Sequence, residues 1–295
     1  MSLGTVNNVM KKLREEGLAQ CDGGGFTLSP AGEAALAPYK VANATIIMTA
    51  GMSSRFVPLS CEKPKDVLRV QGEVLIERQI RQLQEAGIND ITVVVGYMKE
   101  ALFYLEDAFG VKILVNEQYA NRNNNSTLML VRQQLSNTYI CSSDDYFTEN
   151  VFRPYVYEAY YAASYFPGKT DEYCLKTARD GRITGITVGG TDVWAMMGHV
   201  YFDRAFSETF RRVLEEDYDK PETAPKLWED IYIDHIKELR MVMKPYEDGV
   251  VYEFAITTPS TCARPCRSSV RCTTAVRNRA GTSTLWARRT TSLSF

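Results

Sequence analysis

Histidine is scarce: 295 residues hold two, His199 and His235, with no HExxH, which excludes a histidine-based zinc hydrolase. Long apolar runs are absent, and none approaches the roughly 20 residues of a membrane-spanning helix. The start, Met1-Ser2-Leu3-Gly4, lacks the basic opening and apolar stretch of an export signal. A cytoplasmic location with no membrane partner is therefore expected. Cysteines are few and scattered. Cys21, Cys61, Cys141 and Cys174 stand alone and read as reduced thiols. Cys262, Cys266 and Cys272 lie closer together but lack a fourth ligand at a zinc spacing. An excess of basic charge is also missing. The formal net charge is −2, and residues 255–295 hold seven arginines and no acid, so the rest of the chain carries about −9. An acidic body argues against nucleic acid as the main partner.

What is present is a 45% apolar chain, enough for a substantial core. It divides into three unequal pieces. In residues 1–40, Leu3, Val6, Val9, Met10 and Leu13 recur at helical spacing, and Gly17 ends that helix. Two short strands follow around Gly23-Gly24-Gly25, and Ser29-Pro30 then opens a second helix. This string resembles the second half of a winged helix. The alternative is a plain helix–hairpin appendage docked on the main body. Residues 255–295 are rich in Cys, Arg, Thr and Ser without periodicity, and read as disordered or as a non-native tail.

Residues 43–254 alternate helical and strand patterns, which indicates an α/β fold. Val74–Leu83 is an amphipathic helix, Ile91–Val95 and Val111–Val115 are apolar strands, and Thr127–Leu135 is a helix. Tyr139–Cys141 is a strand running into Asp144-Asp145. Later strands are expected at Glu172–Thr177, Arg182–Val188 and Trp194–Phe202, with helices at Ala205–Glu216 and Leu227–Leu239.

The chemistry concentrates after the strand Ala44–Met48. The small-residue turn Ala50-Gly51-Met52-Ser53-Ser54-Arg55 is followed by Pro58 and Lys63-Pro64-Lys65. Small residues let backbone N–H groups approach an anion, and the cations then neutralise it. This combination resembles the opening of nucleotidyltransferases that make nucleoside-diphosphate sugars and CDP-alcohols, with Ser53 where a second glycine is usual. Leu75–Ile80, Ala86–Ile91, Val95–Glu100, Asn123–Ser126 and Trp228-Glu229-Asp230 are similar to the bacterial CTP:phosphocholine cytidylyltransferase family.

The resemblance implies a Rossmann-like fold with a mostly parallel mixed sheet. It also implies Mg2+-dependent transfer of CMP from CTP to phosphocholine, with pyrophosphate released. Arg55 and Lys65 would act on the triphosphate, and Ala50, Gly51, Met52 and Ser53 would offer main-chain contacts. Gly96-Tyr97 would sit near the base, and Asn124 or Asn125 near nucleotide or substrate. The metal ligands would be Asp144, with Asp145 second, and Glu229, with Asp230 left open. Tyr173, Trp194 and Trp228 are candidates for aromatic faces around a quaternary ammonium. Sugar 1-phosphate and aminoethylphosphonate remain open as acceptors, and a nucleotide-sensing transcription regulator remains open as another class. The sequence is compatible with a homodimer but does not fix the oligomeric state.

Overall fold

The computed structural model describes residues 2–22, 25–47, 67, 69–253, 275–276 and 284–285. The N-terminal piece is helix α1 (Leu3–Glu15), the hairpin β1 (Ala19–Asp22) and β2 (Gly25–Leu28), and helix α2 (Pro30–Leu36). Each helix start is capped by a serine, the second as the sequence predicts. Ser2 Oγ accepts the Thr5 N–H at 3.2 Å, and Ser29 Oγ accepts the Gly32 N–H at 3.1 Å while donating to the Gly17 carbonyl. A Cβ at Gly32 would lie 2.1 Å from the Leu18 carbonyl oxygen, so only glycine lets α2 approach the hairpin this closely. Helix α1 buries none of its residues. The piece joins the body through Tyr39 stacked on Tyr157 and through the Val41 N–H donating to the Pro154 carbonyl.

The body runs β3 (Asn43–Ile47), β4 (Arg69–Val70), β5 (Glu73–Val74), α3 (Leu75–Glu85), β6 (Ile91–Val95), α4 (Tyr104–Phe109) and β7 (Lys112–Val115). It continues with α5 (Asn125–Val131), β8 (Thr138–Ser142), β9 (Asp145–Phe147), β10 (Tyr160–Thr177) and β11 (Ile183–Phe202). The last elements of the body are α6 (Arg204–Asp217), α7 (Trp228–Asp234), β12 (Val242–Pro245) and β13 (Val251–Glu253). Seven strands form one sheet in the order β12-β10-β11-β8-β3-β6-β7. β8, β3, β6 and β7 are mutually parallel, β11 runs antiparallel to both its neighbours, and β12 is parallel to β10. The sheet is therefore mixed and mostly parallel.

Side chains alternate between two cores, as the period of two along a strand demands. Val93, Val95, Tyr139, Cys141 and Tyr201 face one core, which α3 covers with Ile76, Ile80 and Leu83. Val94, Ile140, Val200 and Phe202 face the other, covered by α6 (Phe206, Phe210, Val213, Leu214) and α7 (Trp228, Ile231, Tyr232). β6 is apolar at nearly every position because both its faces are buried.

Three expected late strands merge into the two long strands β10 and β11. Proline and glycine commonly end strands, and Pro167-Gly168 and Gly189-Gly190 lie inside these two. The structure instead absorbs them as register shifts, one of them between Phe166 and Lys169, with Gly168 and Gly189 at positive φ. The helix expected over Leu227–Leu239 ends at Asp234, and its last residues form turns. Within 255–295, Ala275–Val276 pairs antiparallel with Thr284–Leu285; the remainder lies outside the described residues. No helix among the described residues is long and apolar enough to cross a membrane.

Candidate active site

Ligands of open α/β sheets bind beyond the carboxyl ends of the parallel strands. Here β3 ends at Ile47, in register with Ser142 at the end of β8. From there the chain turns at Ser143-Asp144 into β9. The Ser142 hydroxyl donates to Asp144 Oδ1, and Asp144 is buried. A cavity of about 220 Å³ opens beside this turn. Ser142 and Asp145 line it together with Tyr161 of β10, Met196, Met197 and Gly198 of β11, Trp228 and Glu229 of α7, Asn124 just before α5, and Glu253 of β13. The sequence places Asp145 facing away. In the structure its carboxyl-bearing residue lines the cavity, because β9 starts there and pairs Asp145 opposite Glu253.

Glu229 is the carboxylate with the most defined surroundings. Its Oε2 accepts from Asn124 Nδ2 and its Oε1 accepts from the Tyr161 hydroxyl, both at 3.3 Å. Burial pushes its carboxyl up to about 7, against the pull of those hydrogen bonds. Tyr161 is itself raised well above its ordinary value, first by burial and then by Glu229, so it stays protonated and donates. Asp230, left open by the sequence, has a different task. Its Oδ2 accepts the Leu227 N–H at 2.8 Å at the start of α7, and its Oδ1 accepts from the Tyr173 hydroxyl at 3.2 Å. Of the two neighbouring acids, Glu229 lines the cavity.

The asparagine run holds the helix that carries Glu229. Asn123 Nδ2 donates to the Pro225 carbonyl at 3.1 Å, and Asn125, fully buried, donates to the carbonyls of Thr223 (3.0 Å) and Lys226. Asn124 Oδ1 accepts the Trp228 N–H at 2.7 Å. The amide of Asn125 is thus bound to main chain, and it is Asn124 that lines the cavity.

The aromatic candidates separate. Tyr173 lines the cavity and is half-buried, with its hydroxyl pushed up to about 12 by burial and by Asp230. Trp228 also lines it. One face stacks on Tyr161 (5.9 Å, 12°), the edges of the Phe202 and Phe210 rings approach from elsewhere, and only 2% of the residue is exposed. Trp194 packs edge-on against Tyr165 at 5.6 Å and is not part of the cavity wall. Gly96 and Tyr97 follow the end of β6, Tyr97 is exposed, and neither lines the cavity. Ala50, Gly51, Met52, Ser53, Arg55 and Lys65 lie outside the described residues.

The donor chemistry fits a hard divalent cation. Glu229 and Asp145 bring carboxyl-bearing residues to the cavity wall, and Glu172 and Glu253 add negative charge there; Asp144, the first choice from the sequence, sits in the adjoining turn and is not one of the lining residues. Among the described residues no group of three or more His, Cys, Asp or Glu could hold a metal by itself. Mg2+ does not require one, since it is commonly held by one or two carboxylates with substrate phosphates and water. Tyr161, Glu172, Met196, Met197 and Glu253 were not legible as site residues. They sit in ordinary strand patterns, and only the pairing of distant strands brings them to one wall.

The MobA-like NTP transferase domain matches residues 45–160. The choline-phosphate cytidylyltransferase of Streptococcus pneumoniae is 33% identical over 208 residues, 70% of this chain and 91% of that enzyme. The 2-aminoethylphosphonate cytidylyltransferase of Lancefieldella rimae is 34% identical over 212 residues, 70% of this chain and 86% of that enzyme. A solved structure of the CTP:phosphocholine cytidylyltransferase from Streptococcus pneumoniae superposes with a TM-score of 0.69 at 32% identity, covering 72% of this chain and 93% of that one. The fold is that of a Rossmann-like nucleotidyltransferase, a transferase enzyme. Within that class the chain belongs to the bacterial cytidylyltransferase family.

Proposed function

We propose that this enzyme transfers CMP from CTP to phosphocholine. A phosphate oxygen of phosphocholine bonds to the α-phosphorus of CTP as the bond from that phosphorus to the β-phosphate bridging oxygen breaks. CDP-choline forms and pyrophosphate leaves. Such a transfer depends on in-line positioning and on relief of charge between two anions. The observation that carries the reading is one cavity joining Glu229 of α7 to the Ser142–Asp145 turn, with Tyr161 and Tyr173 on the same wall.

Asp144 and Glu229 would hold Mg2+, which when bound neutralises phosphate charge and orients the triphosphate. Asn124 and Tyr161 keep the Glu229 carboxylate aimed by donating to its two oxygens. Tyr173 offers a face to the trimethylammonium group, with Glu172 beside it. Arg55 and Lys65 would bind the triphosphate, in keeping with the sequence motif.

The test is pyrophosphate release from CTP, ATP, GTP and UTP against phosphocholine, 2-aminoethylphosphonate and glucose 1-phosphate. CTP with phosphocholine is expected to be the preferred pair, and Asp144→Ala to abolish release. Robust sugar-nucleotide product with no CDP-choline would overturn the choline reading. A relative assigned to 2-aminoethylphosphonate at nearly equal identity makes that acceptor the decisive comparison.

A further inference from the structure

Helix α3 turns a polar stripe toward β9 and the turn before it that carries Asp144. Gln79, 1% exposed, donates from one Nε2 to the Ser142 carbonyl at 2.6 Å and to the Asp145 carbonyl at 2.8 Å. These two carbonyls flank the Ser143-Asp144 turn. One amide nitrogen, with its two hydrogens, therefore ties both ends of the turn. The opposite amide orientation would set Oε1 against two carbonyl oxygens, so the arrangement has one workable form.

One helical turn along, Gln82 donates to the carbonyls of Phe147 and Glu149, both at 3.2 Å. Arg78 donates to those of Phe147 and Thr148. These contacts hold the far end of β9 rather than the turn.

We propose that Gln79 is a positioning residue for the transfer reaction, holding the Asp144 turn in the orientation that meets the cation. The proposal rests on the cytidylyl-transfer reading above. The direction of Asp144 follows from the main-chain angles of a two-residue turn. The Ser142 hydroxyl steadies the carboxylate itself, whereas Gln79 fixes the peptide groups on either side. Groups that orient a metal ligand without touching the metal typically change metal affinity or activity 10–100-fold when removed.

Gln79→Leu and Gln82→Leu in the full chain provide the test. Each removes two hydrogen bonds from the same buried helix face, so a purely structural role predicts matching behaviour. Mn2+ binding in the presence of CTP, followed by electron paramagnetic resonance, reads the site without turnover. Gln79→Leu is expected to weaken Mn2+ binding about 10- to 100-fold. It should lower kcat by a similar factor, with KM for CTP within about twofold. Gln82→Leu is expected to keep the parent Mn2+ affinity while unfolding at lower urea. Gln79→Glu, of the same shape but poorer in donors, is expected to show the same shift if Gln79→Leu does not fold. Unchanged Mn2+ affinity in the Gln79 variants, or an equal shift in Gln82→Leu, overturns the proposal. A parent chain that neither binds Mn2+ with CTP nor releases pyrophosphate overturns the enzymatic reading itself, and the parent alone reveals that.

Discussion

Asn124 holds Glu229 from its own side chain and from the main chain at once: its Nδ2 donates to Glu229 Oε2 at 3.3 Å, and its Oδ1 accepts the Trp228 N–H at 2.7 Å. The second contact caps an otherwise unpaired N–H in the first turn of α7. The first restricts the carboxylate that this turn presents to the cavity. Position and direction of one carboxylate therefore depend on a side chain about a hundred residues earlier in the chain.

Asn124→Ala removes both contacts. Turnover is expected to fall about 10- to 100-fold, as for other groups that orient a ligand carboxylate. Stability is expected to fall by about 1–3 kcal/mol, the cost of a buried donor left unmatched. Initial rates and urea unfolding measure the two effects, and parent-like turnover would remove Asn124 from the site.

Glu229 makes stability fall as pH rises. Its carboxyl titrates near 7 in the folded chain against an ordinary value of 4.5, so the folded state holds more protons between those limits. Ionising it therefore costs stability, at most about 1.4 kcal/mol per pH unit in that window. Glu229→Gln is expected to be more stable than the parent at pH 8, nearly equal to it at pH 4, and inactive at both. Parent turnover is expected to rise through pH 7 as the carboxylate forms. Urea midpoints and rates at several pH values decide it.

His199 acts in the opposite direction. It is fully buried in an aromatic nest, accepts or donates at Nε2 opposite the Tyr160 hydroxyl at 2.9 Å, and is pushed down to about 3 by burial and by Lys244. The unfolded chain takes up a proton below 6.5 that the folded chain refuses. Its contribution is therefore intact above pH 6.5 and is lost as pH falls toward 3, again by about 1.4 kcal/mol per unit at most. His199→Phe is expected to flatten that acid limb in the difference between the two stability curves. An unaltered limb would contradict the assignment.

Tyr173 and Trp194 are expected to behave differently on substitution. Tyr173→Ala is expected to raise KM for phosphocholine about tenfold, the equivalent of a desolvated cation–π contact of roughly 1–2 kcal/mol, with KM for CTP unchanged. Trp194→Ala, on the Tyr165 side of the hairpin, is expected to leave both constants near the parent values. Equal effects of the two substitutions would contradict this picture of the acceptor wall.

The parallel centre of the sheet was legible because Ile91–Val95 and Tyr139–Cys141 are short apolar runs, and burial on both faces leaves no other reading. The caps at Ser29 and the turn at Gly17 were legible because each depends on one residue and its immediate neighbours. The wall built by Tyr161, Glu172 and Glu253 was not, because it depends on the bulged register between β10 and β11 and on the pairing of β13 with β9 from more than a hundred residues away. The choice between Glu229 and Asp230 was undecidable from spacing alone. It turns on which carboxylate the first turn of α7 uses to satisfy its own N–H, and that is Asp230.

Strand β13 reaches β9 from more than a hundred residues downstream and sets Glu253 opposite Asp145. A ribosome must therefore translate as far as Glu253 before the pocket has its last wall. Until then a nascent chain can form the parallel centre of its sheet, yet β9 keeps an open edge. Competence thus comes late in synthesis, and a premature stop only a few codons short of that strand would release a chain with a breached pocket.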